Sequence, residues 1–144
     1  MRLADQIKTD VASAMKAGER DRVSALRLVL SELQKAAKEG DGSDEQAVLR
    51  RERKRRRESE AAYRDAGRED LAAQEAFEAE TIEAYLPAEL SDSELDALVA
   101  EAIAATGAES ARDMGRAIKH TMAAAGGRAD GRRVSAKVKE ALAA

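Results

Sequence analysis

At 144 residues, with 25 Lys and Arg, 28 Asp and Glu and a net charge of −3, the chain has room for one domain or two small ones. The absence of cysteine excludes disulfides, thiolate metal sites and cysteine nucleophiles together, and three aromatics (Tyr63, Phe77, Tyr85) with a single proline leave a helix-forming composition. No apolar run reaches the roughly 18 residues a membrane span needs, and the charged N-terminus lacks a signal peptide's apolar stretch, so a cytoplasmic protein without a membrane partner is expected.

In chain order, Leu3, Ile7, Val11 and Ala14/Met15 recur at helical spacing, and Gly18 can end that first helix. Val23, Leu26, Leu30 and Leu33 mark a second helix, with Leu28 and Val29 widening its stripe, until Gly40-Asp41-Gly42. Ser43 and Gln46 have the spacing of a capping box that opens a third helix running to about Ala66, where Gly67 supplies a left-handed stop. Residues 70–86 read as a fourth helix closed by Pro87.

Ser91-x-x-Glu94 opens a fifth helix bearing Leu95, Leu98, Val99, Ala102 and Ile103, and Gly107 ends it. Ser110-x-x-Asp113 starts a sixth, with Met114, Ile118 and Met122 along one face. Gly126-Gly127 breaks it, and Asp130 is a candidate N-cap for a last helix carrying Val134, Val138 and Leu142. The expectation is an all-α protein in two parts. Residues 1–87 form a four-helix region built around a long helical hairpin, and residues 88–144 form a three-helix bundle.

Charge is segregated along the chain. Residues 110–144 hold eight bases against three acids, a local charge of +5, whereas residues 88–109 hold six acids and no base. A basic module with small residues at a loop suggests a polyanion, RNA above all. Residues 50–57 hold seven bases and one acid, and two readings compete for them. They form a phosphate-binding helix face, or they pair with the acid-rich residues 70–83 across a hairpin. A turn at Gly67 sets residues 50–57 opposite 77–84, which contain three Glu; this favours the hairpin and leaves the unmatched Arg side chains for RNA.

No catalytic constellation is visible. His120, the one histidine, has no nucleophile or carboxylate grouping around it, no tetrahedral metal set exists, and no Gly-rich loop carries the Lys-Ser/Thr of a nucleotide site. Catalytic residues, cofactor and metal are therefore all assigned as none. The strongest candidate site is the loop 126–131. Its glycines Gly126, Gly127 and Gly131 can take positive φ, a helix N-terminus follows, and Arg128, Arg132 and Arg133 surround it. The alternative is an ordinary tight turn with Asp130 as cap, whose charge opposes an anion at the same place.

Leu26-Arg27-Leu28, Ala66-Gly67-Arg68-Glu69-Asp70-Leu71, Tyr85-Leu86-Pro87 with Leu90, Asp113-Met114-Gly115-Arg116 and Gly127-Arg128-Ala129-Asp130-Gly131 before Val134 together resemble the GatB/YqeY family, in its stand-alone form. Residues 91–144 are further similar to the tail domain of the B subunit of glutamine-dependent tRNA amidotransferase. There a Gly-Lys/Arg-Ala-x-Pro/Gly loop lies against tRNA, and Gly131 stands where that subunit usually has Pro. The resemblance implies association with carbon–nitrogen ligase (amidotransferase) activity, whose catalytic cradle this chain does not carry.

The expected function is non-catalytic tRNA binding, by shape more than by base reading because stacking surface is scarce. Arg116, Lys119, Arg128, Arg132 and Lys137 are the candidates for backbone contact, with Gly127 and Gly131 allowing close approach. Two alternatives stand beside it: an accessory to glutamine-dependent tRNA amidation, in contact with amidotransferase or aminoacyl-tRNA machinery, and a protein–protein module that docks through the charged hairpin.

Overall fold

The computed structural model describes residues 2–40 and 44–143. Among these residues there are seven α-helices, one short 3-10 turn and no strand. The chain divides into two compact units, Met1–Pro87 and Ala88–Ala144.

The first unit contains α1 (Leu3–Ala17), α2 (Arg20–Glu39), α3 (Glu45–Asp65) and α4 (Glu69–Glu83). Gly18, at φ 74°, ends α1 in the left-handed region where a side chain is strained. Ile7, Val23, Leu26, Val29, Leu33, Val48, Leu49 and Ile82 form the core, with Leu3, Val11, Leu30, Tyr85 and Leu86 packed around them. Leu28, expected to widen the α2 stripe, is instead 46% exposed. It lies two residues from Leu26, about 200° around a helix of 3.6 residues per turn, and so faces away from that core.

The Ser43 capping box lies outside the described residues. Asp44 is the N-cap of α3, its carboxylate accepting from the Ala47 N–H at 2.6 Å. The next side chain reaches elsewhere: Glu45 accepts the Leu3 and Ala4 N–H groups, each at 2.9 Å, and so caps α1 from the start of α3. At the far end of the unit, the Tyr85 hydroxyl donates to the Asp10 carboxylate of α1.

α3 and α4 pack as an antiparallel pair around Gly67, which takes φ 76°. The hairpin absorbs part of the Arg cluster. Arg57 meets Glu83 at 2.9 Å and Glu60 at 2.8 Å, and Arg56 meets Glu78 at 3.2 Å and Glu75 at 4.0 Å. Glu52, the acid inside the run, is 2% exposed and holds Arg55 at 3.2 Å and Arg56 at 3.7 Å. Arg56 and Glu78 are the pair that a turn at Gly67 sets opposite each other, whereas Arg57 reaches past its opposite position, 77, to Glu83. α4 itself stops at Glu83, three residues short of the expected end, because a residue preceding proline is pushed out of helical backbone and the last turn loosens before Pro87.

The second unit contains α5 (Asp92–Thr106), the 3-10 turn (Ala111–Asp113), α6 (Met114–Ala125) and α7 (Gly131–Ala143). The Ser91/Glu94 capping box forms at both of its hydrogen bonds, 3.1 and 3.0 Å. The start signal at Ser110 forms its capping box with Asp113, but what it opens first is a single 3-10 turn. The Asp113 carboxylate accepts the Glu109 and Ser110 N–H groups, the chain makes one tight turn, and α6 begins only at Met114. Leu90, Leu95, Val99, Ala117, Val134 and Val138 lie in the core. The centre of α6 is the small set Ala117, Thr121 and Ala125, with Met114, Ile118 and Met122 flanking it half-buried. Thr121 is fully buried and satisfied, its hydroxyl donating to the Ala117 carbonyl at 2.8 Å.

Candidate nucleic-acid interface

The loop between α6 and α7 is a short left-handed reversal. Gly126 and Gly127 take φ 57° and 83°, conformations in which a Cβ is strained, and Ala129 is buried beneath the turn. Gly131 differs from its expected part: it is the first residue of α7, its backbone φ is not positive, and a Cβ there would meet open space. That first helical position also tolerates proline, which lacks only an N–H that has no intrahelical partner anyway.

Asp130 caps α7, its carboxylate accepting the Arg133 N–H at 2.8 Å. A negative group therefore already stands where an incoming anion would meet the positive end of the helix dipole. Of the two readings of the loop, the tight turn with its own cap describes the backbone. Arg128 serves the turn as well. Its Nε donates to the Ala88 carbonyl at 2.8 Å, its carbonyl accepts from the Leu90 N–H at 2.8 Å, and its guanidinium lies 4.0 Å from Glu94.

The bases of α7 face the acids of α5. Arg133 meets Asp92 at 2.9 Å and Lys137 meets Asp96 at 3.0 Å, so two side chains one helical turn apart match two others one turn apart. Hydrogen bonding from Arg133, with the Lys137 charge behind it, holds the Asp92 carboxyl below the usual carboxylate range. Asp96 in turn raises the ammonium pKa of Lys137. On α6, Arg116 pairs with Asp113 at 2.7 Å and donates to the Thr106 carbonyl at 3.2 Å. The Glu109 N–H, then Arg116, keeps Asp113 below the ordinary range.

Much of the charge segregated along the sequence is thus matched within the unit. The signal was present in the six acids that precede the basic segment. Four cations of the second unit have no hydrogen-bond or ion-pair partner among the described residues: Arg112, Lys119, Arg132 and Lys139, all exposed. Arg132 and Lys139 are seven residues apart, hence on one face of α7, with exposed Ala136 between them and buried Val134 and Val138 on the other side. Lys119 and Arg116 share the outer face of α6, and His120 beside them is exposed.

Of the seven sequence candidates, then, Lys119 and Arg132 present uncommitted charge and Arg116 is paired but open. Arg128 and Lys137 are committed to neighbours, Gly127 makes the turn, and Gly131 starts the helix. Among the described residues, no three His, Cys, Asp or Glu side chains gather as a metal-ligand group, and no helix is long and apolar enough to cross a membrane. No curated protein matches the chain. The family model for Yqey-like protein matches residues 4–142, nearly its whole length, and the chain belongs to that family.

Proposed function

We propose that this chain is a non-catalytic RNA-binding protein with tRNA as its partner, engaged through phosphate contacts made by the C-terminal unit. The observation that supports the reading is the residue of charge left after internal pairing: Arg132 and Lys139 along one face of α7, and Lys119 on α6, exposed and without an ion-pair partner among the described residues. Exposed cations with no exposed large apolar or aromatic side chain beside them suit phosphate, where binding is electrostatic and carries little sequence information. The similarity of residues 91–144 to the tail domain of a tRNA amidotransferase subunit points the same way. Arg116, 61% exposed, stays within reach of a phosphate while it pairs with Asp113. Arg128 and Lys137 add positive field from within the fold.

A gel shift with the Lys119→Glu/Arg132→Glu variant tests this. Binding should weaken alike across tRNA species, because both contacts fall on the backbone. Parental affinity in a folded double variant removes these residues from the interface.

A further inference from the structure

The hairpin in the first unit leaves part of its Arg cluster unused. Arg56 and Arg57 are taken up by Glu75, Glu78, Glu60 and Glu83, and Arg53 is engaged as well. Arg50, Arg51 and Lys54 have no hydrogen-bond or ion-pair partner among the described residues. Arg55 touches Glu52 yet remains 62% exposed. On a helix of 3.6 residues per turn Arg50 and Lys54 lie opposite the buried Val48, Leu49 and Glu52, whereas Arg51 and Arg55 flank the buried side toward α2, all four within about 7.5 Å along the axis.

Arg55 serves the fold through buried Glu52, but two features show that the fold gains little from the other three. Arg50 with Lys54, and Arg51 with Arg55, are like-charge pairs four residues apart, an arrangement that destabilises a helix. None of the four neutralises the acidic helix α4. Across a shallow depression of about 280 Å³, Arg51 and Arg55 are joined by Lys35 of α2, with Glu32 and Glu39 on the α2 side of the rim. The positive charge is therefore concentrated on α3.

The chemistry around the stripe selects the partner. A protein interface needs an apolar centre and a membrane-surface helix needs apolar anchors. Among the described residues, the exposed large apolar side chains are Met15, Leu28 and Phe77, none of them on α3. A phosphate backbone requires neither, and Arg forks match it bidentately. We infer that Arg50, Arg51, Lys54 and Arg55 on α3 form a second RNA contact that grips the phosphate backbone without reading bases. The inference rests on the RNA-binding reading above and places a further contact in the first unit.

The test is binding of labelled tRNA to the full chain over a salt series. It compares the parent, Arg50→Gln/Arg51→Gln/Lys54→Gln, and Lys119→Gln/Arg132→Gln, with melting temperatures as the check on folding. The stripe variant should lose about tenfold or more in affinity at low salt. Its log–log salt slope should fall by about two, each phosphate contact contributing roughly 0.7–0.9. Its melting temperature should hold or rise slightly, and Arg50→Lys/Arg51→Lys should keep close to parental binding. Parental affinity and slope in the stripe variant, beside a loss in the α6–α7 variant, would overturn this inference and leave the RNA reading standing. No binding by the parent at low salt would overturn both. If the stripe variant kept its tRNA affinity but lost binding to an acidic helical peptide or to anionic vesicles, the RNA assignment of the stripe would fall.

Discussion

Glu45 joins helix starts 42 residues apart, one carboxylate accepting the first two N–H groups of α1 from the first turn of α3. Removing a side-chain cap typically lowers stability by about 1 kcal/mol, and a charged acceptor at a helix N-terminus adds to that. Glu45→Ala should therefore lower the stability of the first unit by about 1–2 kcal/mol in urea unfolding, and Glu45→Gln by less. A second such residue is Tyr85. Burial first, then its bond to Asp10, raises the phenol pKa above its ordinary value. A group whose folded pKa is raised contributes stability that is present below its unfolded pKa, about 10, and is lost as pH rises through the folded value. Alkaline unfolding should show that loss in the parent, and Tyr85→Phe should remove it. Neither link was legible in the sequence, because each depends on which distant helix end comes near. Asp130 was legible, since an N-cap works within three residues of itself.

At the scale of elements, helix starts and stops could be read where the signal is local: Ser91 with Glu94, Gly18, Gly67 and Gly126. Ser110 with Asp113 was legible as well; what the sequence did not show is the single 3-10 turn they open before α6 begins at Met114. The α3–α4 hairpin was legible from a base-rich run and an acid-only helix placed symmetrically about Gly67. Opposite charge in residues 88–109 and 110–144 was visible too, but the α5–α7 pairs share a parallel offset of 41 residues across α6, which no turn between them fixes. Two predictions belong here. Arg56→Ala/Arg57→Ala should cost about 1–2 kcal/mol in thermal or urea unfolding, as the exposed Arg57 pairs are weak and the half-buried Glu75 and Glu78 lose their cation. Its tRNA affinity should stay parental, in contrast to the outer stripe of the same helix. In the second unit, Asp92 has a lowered carboxyl pKa, so its contribution is present above the unfolded value, about 4, and is lost as pH falls through the folded one. The melting temperature should drop on acidification below about pH 4, and Asp92→Asn should flatten that drop.

Over the whole molecule, a net charge of −3 gives no hint of a polyanion partner; what matters is which cations the folded chain leaves unmatched. Composition and periodicity carried the all-helical class and the order of the helices, and the landmark residues carried the family. They could not separate Arg132 from Arg133, adjacent in sequence, of which one is free among the described residues and the other is bound to Asp92. Helical phase against the buried Val134 and Val138 makes that distinction, and only the packing of α7 fixes it. His120, exposed and away from any grouping of chemical residues, should be replaceable by Ala with RNA affinity within a few-fold of the parent. The most direct measurement of the central claim is the equilibrium binding of labelled tRNA to the full chain, by fluorescence anisotropy, from low to high salt. Phosphate binding predicts saturable association whose log affinity falls linearly with log salt, with a shallower slope in Lys119→Glu/Arg132→Glu. No saturable binding at low salt, or an affinity indifferent to salt, would contradict it.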